Sequence, residues 1–306
     1  MDAKEFPHIG IRRMAGTAAA GILFLTFAIS ASAQEPVSPP DDSPYRTEPA
    51  EPFQIIGNIY AVGETLHLIN YLITTPEGHI LIDAGYEESV PRVRANIEKL
   101  GFRVEDIRML VASHAHSDHV AGFALLKELS GAEIVAGRRD VEVIETGGEA
   151  DFRGGGERQW RPAMVDIVVG TGDQIGLGGT VLTAYATPGH TKGCTTWTMA
   201  VEEGGRLYEV IFFCGANIAA EALPVIGNPR YPEMADDFAA SFAIWKDIPV
   251  DVYLGGHGYW FWIEEKLARA QQGGGPNPFI DPEGYRNALA VFERRYLDLV
   301  TAEGGR

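Results

Sequence analysis

A cluster of imidazole and carboxylate side chains stands at residues 114–119, in the sequence HAHSDH. It contains His114, His116, Asp118 and His119, so three of the chain's eight histidines fall within six positions. In a looped segment, side chains two residues apart can converge on one point, whereas residues i and i+2 of a helix do not share a face. The pattern therefore predicts a loop in which the HxH pair reaches one metal ion and the DH pair a second. Imidazole nitrogen and carboxylate oxygen suit zinc, the metal that we expect here.

Four ligands cannot complete two sites, and two further histidines stand where predicted strands end. His190 lies in the turn TPGHTKG (187–193), and His257 lies in LGGHGYW (254–260). Glycine-lined turns leave room around an imidazole ring, so we expect these two side chains to complete the sites. The other three histidines lack this context and are predicted to be structural or exposed: His8, His67 and His79.

The elements that must position these residues follow from apolar patterning. The continuous apolar run MLVAS (109–113) predicts a strand buried on both faces that leads directly into the cluster. HLINYLIT (67–74) and HILIDAG (79–85) flank a Pro-Glu-Gly turn and predict a hairpin. Further predicted elements are helices at 89–100, 119–131, 234–247 and 285–299 and strands at 133–137, 165–169, 180–188, 195–203, 207–215 and 250–256.

Two halves, each a set of strands followed by helices, predict an α/β sandwich with helices outside two facing sheets. Between them, residues 147–162 contain five glycines and no periodicity, which indicates a long loop with a functional role. The sequence contains no glycine-rich phosphate loop and no G-x-S-x-G nucleophile turn.

The beginning of the chain is typical of an export signal. Residues 14–30 are uncharged and mostly apolar, and Ala31-Ser32-Ala33 suits signal peptidase. We therefore expect residues 1–33 to be a signal peptide cleaved after Ala33, which implies a periplasmic or secreted protein without stable membrane insertion. The alternative is a membrane anchor, although a spanning helix needs about 20 apolar residues. Residues 34–52 are rich in proline and acid and predict a disordered or loosely attached leader, so that 53–306 form a single domain.

Charge and cysteine content narrow the function further. The formal net charge of −17 disfavours nucleic acid as a partner, because an acidic surface repels phosphates. Only two cysteines are present, Cys194 and Cys214. An exported protein could pair them, but two cysteines do not make a disulfide framework, and Cys194 is interpreted as a buried small side chain.

The segments HAHSDH, TPGHTKGCTTW and LGGHGYWF, in this order, resemble the metallo-β-lactamase superfamily. Further segments, such as DFRGGG and LGGTVLTAYATPGHTKGCTTW, extend the similarity to subclass B3 metallo-β-lactamases over about residues 53–300. The resemblance implies a four-layer αβ/βα sandwich with the site at one edge between the halves. It implies a first zinc ion at His114, His116 and His190 and a second at Asp118, His119 and His257.

The reaction that the resemblance implies is hydrolysis of β-lactam antibiotics, namely penicillins, cephalosporins and carbapenems. A hydroxide shared by the two zinc ions would attack the lactam carbonyl without a covalent enzyme intermediate, and Asp118 would orient that hydroxide. Asp83 in LIDAG matches an early strand-end aspartate of the superfamily. It is either a hydrogen-bond partner of a metal-binding histidine or a residue that caps a turn.

The segment FFCGAN (212–217) discriminates between members of the superfamily. It lacks the bridging aspartate of glyoxalase-like and lactonase-like members. Cys214 lies near the cysteine ligand of subclasses B1 and B2 but one position early, and His119 makes such a ligand unnecessary. Where many subclass B3 enzymes carry serines that contact the substrate carboxylate, this chain has Gly215 and Asn217.

Two aromatic residues of the glycine-rich loop, Phe152 and Trp160, are further candidates for the substrate site. They either cover a bound substrate or anchor the loop to the body of the protein. Two other functions stay open at this point. One is a dizinc hydrolase of the same fold that acts on another ester, lactone or amide. The other is an exported zinc-binding protein without catalysis, although the ligand set leaves room for a reactive water.

Overall fold

The computed structural model describes residue 36 and residues 43–218 and 223–304. The predicted signal peptide, residues 1–33, lies outside the described residues. Within the described ranges, no helix combines the length and the apolar character needed to cross a bilayer.

The first half of the chain builds a seven-stranded sheet whose strands lie side by side in chain order. The first four strands are antiparallel, and the fourth to the seventh are parallel. The strands are β1 (Phe53–Ile56), β2 (Ile59–Ala61), β3 (Tyr71–Thr75), β4 (Gly78–Ile82), β5 (Ile107–Val111), β6 (Glu133–Gly137) and β7 (Ile167–Val169). The helices of this half are α1 (Pro44–Thr47), α2 (Val90–Lys99), α3 (Ser117–Val120), α4 (Phe123–Ser130) and α5 (Val141–Glu145).

The second half builds a five-stranded sheet in which the last strand pairs in parallel with its neighbour and the other pairs are antiparallel. The strands are β8 (Gln174–Leu177), β9 (Thr180–Ala186), β10 (Thr195–Glu203), β11 (Arg206–Phe213) and β12 (Val252–Gly255), and their order in space is β12-β11-β10-β9-β8. The helices are α6 (Met234–Asp247), α7 (Ile263–Gln272) and α8 (Pro282–Ala302).

The side chains of β4 show how the layers are held together. Ile80 and Ile82 belong to the core shared with the second sheet, whereas Leu81 belongs to the core beneath α2 and α4. Successive side chains of a strand point to opposite faces, so a continuous apolar run buries both faces of the sheet. Two mixed sheets flanked by helices confirm the predicted α/β sandwich.

Several predicted elements agree with the structure, and one is interrupted. Strands 133–137 and 195–203 and helix 234–247 have the predicted bounds. The helix predicted at 119–131 is interrupted at Ala121 and Gly122, between α3 and α4. Gly122 also packs so tightly that a Cβ atom would lie 2.8 Å from Val90 and 2.9 Å from the Ala84 backbone. The short elements α5, α7 and β8 were not expected from the pattern.

Residues 43–52, the end of the expected leader, are attached to the domain. The Ala50 N–H donates to the Glu64 oxygen, and Asn96 of α2 donates from its amide to the Ala50 oxygen. Lys99 forms an ion pair with Glu51. This part of the segment therefore differs from a disordered leader, because polar groups of α2 give it specific partners.

We predict that Leu110→Ala lowers the free energy of unfolding by about 2–5 kcal/mol, because the vacated volume lies in a closely packed core. Leu110 is fully buried in β5 beneath α2 and α4. Urea unfolding of the metal-free protein measures the effect. The matched control is Leu297→Ala on α8, where the side chain is 52% exposed. Equal losses for the two variants would contradict this account of the core.

Candidate metal centre

The candidate site lies where strand ends from both sheets meet. The chain leaves β5 at Val111 and carries its first four ligand candidates through the following loop and α3. His190 occupies the turn between β9 and β10, and His257 follows β12 directly. Because β4, β5 and β6 are parallel, their carboxyl ends lie at one edge of the first sheet, and the loops that follow them are neighbours.

Two groups of three side chains converge in this region, each with ligand atoms within 4.8 Å of one another. The rings of His114, His116 and His190 have centroids 4.5–4.6 Å apart. The groups are adjacent, since the centroids of His114 and His119 are 4.0 Å apart. The first group is His114, His116 and His190, and the second is Asp118, His119 and His257.

Hydrogen bonds fix which ring nitrogen several histidines present to the site. Nδ1 of His190 donates to the backbone oxygen of Asn217 at 2.7 Å, and Nδ1 of His119 lies 2.8 Å from a carboxylate oxygen of Asp83. Nδ1 of His114 lies 3.0 Å from the hydroxyl oxygen of Ser113. In each ring this contact places a proton on Nδ1 and directs Nε2 towards the site, where it can bind a metal ion.

Several nitrogen atoms of the site lack hydrogen-bond partners within the described residues. They are Nε2 of His114, His116 and His119, all of them buried. Nε2 of His257 lies 3.5 Å from a carboxylate oxygen of Asp118. Buried polar atoms without partners are costly, and imidazoles that face one another cannot satisfy each other through their lone pairs. Two metal ions would satisfy these atoms, so the donor set fits a dimetal site.

Burial sets the protonation of most of these histidines. It lowers the pKa of His114, His116 and His257 well below the usual range and that of His190 to about 3. Their neighbours add to the effect, because positive charges on adjacent rings repel. These rings are therefore neutral near pH 7, which is the form that binds metal.

His119 and Asp118 behave differently because they face each other. Burial opposes the charged form of His119, but Asp118 and Asp83 outweigh it and raise the pKa of His119 to about 10. Burial likewise opposes the Asp118 carboxylate, yet His119 and His257 hold its pKa well below the usual range. A metal ion at Nε2 of His119 would take the place of a proton there.

Asp83 lies at the carboxyl end of β4 and holds the loop that follows β5. Its carboxylate accepts hydrogen bonds from the Ser113 N–H and the Ser113 hydroxyl, both at 2.8 Å, in addition to Nδ1 of His119. Its backbone φ of +59° is uncommon for a residue other than glycine. The structure therefore supports the first of the two sequence-based interpretations of Asp83, that of a hydrogen-bond partner of a metal-binding histidine.

His67 was expected to be structural or exposed, but it lies against the second group. Its ring stacks on His257 with centroids 4.7 Å apart and on Tyr259 at 5.7 Å. Nη1 of Arg46 lies 3.1 Å from its Nε2. No motif signals this position, because it depends on the bridge between Leu68 and His257 that joins the two sheets.

The two cysteines form a disulfide bond, with Cα atoms 5.9 Å apart. β10 and β11 are antiparallel neighbours with Trp197 opposite Phe212, so Cys194 and Cys214 lie side by side at the end of this ladder. Cys194 is buried, as the sequence predicted, and it is paired with Cys214, a possibility that the sequence left open. Cys214 is not a metal ligand, because its sulfur is bonded to Cys194.

Gly215 and Asn217, the candidate substrate residues, differ in accessibility. Gly215 is buried, and a Cβ atom there would lie 2.7 Å from Trp260 and 3.4 Å from His190. Gly215 therefore serves packing and does not offer a surface to a substrate. Asn217 is partly exposed, and its amide donates to the Tyr259 hydroxyl at 2.8 Å. Tyr259 is thus a further residue at this edge of the site that the motifs did not identify.

Phe152 and Trp160 are buried, and their contacts fit the interpretation that they anchor the glycine-rich loop to the body of the protein. Phe152 is 6% exposed and packs edge-on against Tyr231, with centroids 5.0 Å apart. Trp160 is 8% exposed, and its ring covers Gly148 so closely that a Cβ atom there would lie 2.4 Å from it. The loop brings Arg153 towards the first group instead, where its positive charge helps to lower the pKa of His116 and His190.

We predict that Gly215→Ala destabilises the protein by about 1–3 kcal/mol more than Gly156→Ala, because its methyl group must displace Trp260. Gly156 is a matched control: its φ of +117° is close to the +135° of Gly215, but open space surrounds its Cβ position. Urea unfolding of both metal-free variants measures the difference, and equal losses would mean that backbone conformation alone requires glycine at 215.

Comparison with known proteins places this site in a family. The family model described as the metallo-β-lactamase superfamily matches residues 70–202. The curated relatives are matched over part of their length. A probable metallo-hydrolase of Burkholderia pseudomallei is 32% identical, and mitochondrial persulfide dioxygenase of Homo sapiens is 31% identical. A hydroxyacylglutathione hydrolase of Bradyrhizobium is 26% identical. The matches cover 36%, 38% and 54% of these three proteins and 36%, 39% and 54% of this chain.

Solved structures match over nearly their whole length. FEZ-1 metallo-β-lactamase from Legionella gormanii is 38% identical, with a TM-score of 0.80 over 84% of this chain and 98% of FEZ-1. BJP-1, a subclass B3 metallo-β-lactamase of Bradyrhizobium japonicum, is 39% identical, with a TM-score of 0.75 over 83% of this chain and 97% of BJP-1. The chain therefore belongs to the metallo-β-lactamase superfamily and resembles its subclass B3 enzymes.

Proposed function

We propose that this protein is an exported zinc enzyme that hydrolyses β-lactam antibiotics. The observation that carries the proposal is the ligand set, in which His119 completes the second group and no cysteine ligand or bridging aspartate is needed. The near full-length similarity to FEZ-1 and BJP-1 supports the same activity.

The residues of the site suit this chemistry. Zinc ions bound here would supply Lewis acidity for the lactam carbonyl and a water acidic enough to act as a nucleophile near pH 7. Asp118, an ionised carboxylate between His119 and His257, can orient that water and hold its proton. Asn217 and Asp83 fix the rings of His190 and His119, so the ligands need little rearrangement on binding metal.

Hydrogen-bond donors that could bind the carboxylate of a substrate lie at one edge of the site. The Tyr259 hydroxyl accepts from Asn217, so its own proton is available to an anionic substrate. The second amide proton of Asn217 lies on the same edge, and Arg153 adds positive charge near the first group. We propose these residues in place of the serines of many subclass B3 enzymes.

Export is supported by the cysteine chemistry. Disulfides persist in oxidising compartments and are rare in reducing ones, and Cys194 and Cys214 are bonded. Together with the expected signal peptide over residues 1–33, this favours a periplasmic or secreted protein.

A second candidate, hydrolysis of another ester, lactone or amide, is favoured by the similarity to hydroxyacylglutathione hydrolase. Against it, residues 214–217 after β11 contain no carboxylate that could bridge two metal ions. β-Lactam hydrolysis is therefore the first choice.

We expect purified protein to hydrolyse a penicillin, a cephalosporin and a carbapenem and to lose this activity when a chelator removes the metal. His190→Ala should reduce turnover by more than about 100-fold, because it removes a metal ligand outright. His79→Ala is the control, since His79 packs against Phe102 away from the site. Absence of chelator-sensitive turnover of all three substrates would reject the proposal, and equal effects of the two variants would reject the ligand assignment.

We also expect Tyr259→Phe to raise KM by about 10–100-fold, the range for loss of a hydrogen bond to a charged group, while kcat changes little. The phenyl ring preserves the stacking on His67 and His257, so the variant tests the hydroxyl alone. Steady-state kinetics with a penicillin provide the measurement. A lowered kcat at unchanged KM would instead assign the hydroxyl to the chemical step.

A further inference from the structure

One buried carboxylate near the metal centre touches none of the six ligand side chains. Asp140 lies three residues after β6 and is 1% exposed. No lysine or arginine of the described ranges forms an ion pair with it, so hydrogen bonds alone compensate for its burial. Such a group is costly unless each oxygen is well satisfied.

The hydrogen bonds of Asp140 join two loops that come from different halves of the chain. Oδ2 accepts from the Ala115 N–H at 2.8 Å and from the Thr191 hydroxyl at 2.7 Å. Oδ1 accepts from the Gly193 N–H at 2.8 Å. Ala115 stands between His114 and His116, and Thr191 directly follows His190. The carboxylate therefore connects the backbone segments that carry all three residues of the first group.

The turn that carries His190 packs directly against the segment that carries Asp140. A Cβ atom on Gly193 would lie 2.2 Å from the Asp140 backbone nitrogen and 2.6 Å from its side chain. A Cβ atom on Gly137, at the end of β6, would lie 2.2 Å from the Gly193 oxygen. Two glycines thus bring the His190 turn against the end of β6, where Asp140 can reach it.

Asp83 occupies the corresponding place on the other side of β5. It follows β4 as Asp140 follows β6, and both strands are parallel neighbours of β5. Asp83 holds Ser113 and His119, whereas Asp140 holds Ala115, Thr191 and Gly193. The two aspartates therefore hold the loop after β5 from opposite sides. Asp83 contacts the second group directly at His119 and reaches the first group only through the Ser113 hydroxyl beside His114.

We propose that Asp140 is a positioning residue of the first metal site, which sets the distance between the segment 114–116 and His190. This inference rests on the proposed zinc centre but not on the substrate. In Asp140→Asn, one of the two oxygens becomes an NH2 group, which must face either the Ala115 N–H or the Gly193 N–H. That donor loses its partner, so the connection between the two loops is weakened in either orientation of the amide.

The test is zinc occupancy at each site, measured at a limiting zinc concentration by anomalous diffraction from crystals of the full chain, with chelator competition for affinities. We expect Asp140→Asn to weaken the first site by about 10–100-fold, the range for loss of a partner that orients ligands, and to lower the ratio of first-site to second-site occupancy. Asp83→Asn is the reciprocal variant and should raise this ratio.

Two further variants separate positioning from stability. Thr191→Val removes one of the three hydrogen bonds at almost constant volume, so it should lower the occupancy ratio less than Asp140→Asn does. Asp281→Asn weakens the cap of α8 and its ion pair with Lys266, and it should leave the ratio unchanged despite any loss of stability.

An unchanged ratio in Asp140→Asn, or a shift in the same direction as in Asp83→Asn, would overturn the inference. A wild-type protein that binds no zinc would reject the proposed function as well. A wild-type protein that binds two zinc ions with no selective loss in Asp140→Asn would reject this inference alone.

Discussion

The structure depends on holding several neutral imidazole rings together before any metal is present. The rings of His114, His116 and His190 lie with centroids 4.5–4.6 Å apart, and Nε2 of His114 and His116 is buried without a hydrogen-bond partner. Nothing in this arrangement is favourable by itself, so the surrounding framework must enforce it. The apolar strands β4 and β5, buried on both faces, supply the rigid base, and buried carboxylates hold the loop at their ends.

The two halves of the chain contribute unequally to the centre, but both are needed. Four of the six ligand candidates follow β5, whereas His190 and His257 come from the second sheet. Contacts with the first half place His257: the Tyr71 hydroxyl donates to the Gly255 oxygen, and Leu68 pairs with His257. The disulfide joins the turn that carries His190 to the end of β11. The six ligand candidates therefore come from both sheets, and the distances between them depend on how the two sheets pack against each other.

The sequence predicted those ligand candidates whose positions are marked by a motif or by the end of a predicted strand. The loop after a buried strand identified the cluster at 114–119, and glycine-lined strand ends identified His190 and His257. The sandwich followed from the order of strands and helices. His67 was missed because its stacking on His257 arises from pairing between sheets, which no local pattern records. Asp140 was missed because its partners are backbone N–H groups and one hydroxyl, none of which marks a sequence motif. The disulfide between Cys194 and Cys214 depends on the register of β10 and β11, which composition cannot supply.

The close packing of Gly215 against Trp260 has a consequence for how this chain could have diverged from its relatives. The indole ring fills the space that the first carbon of a serine would need at position 215. A change from glycine at 215 is therefore coupled to the packing of Trp260, which is itself fully buried. We expect mutations at these two positions to depend on each other, so that the order in which they occur matters.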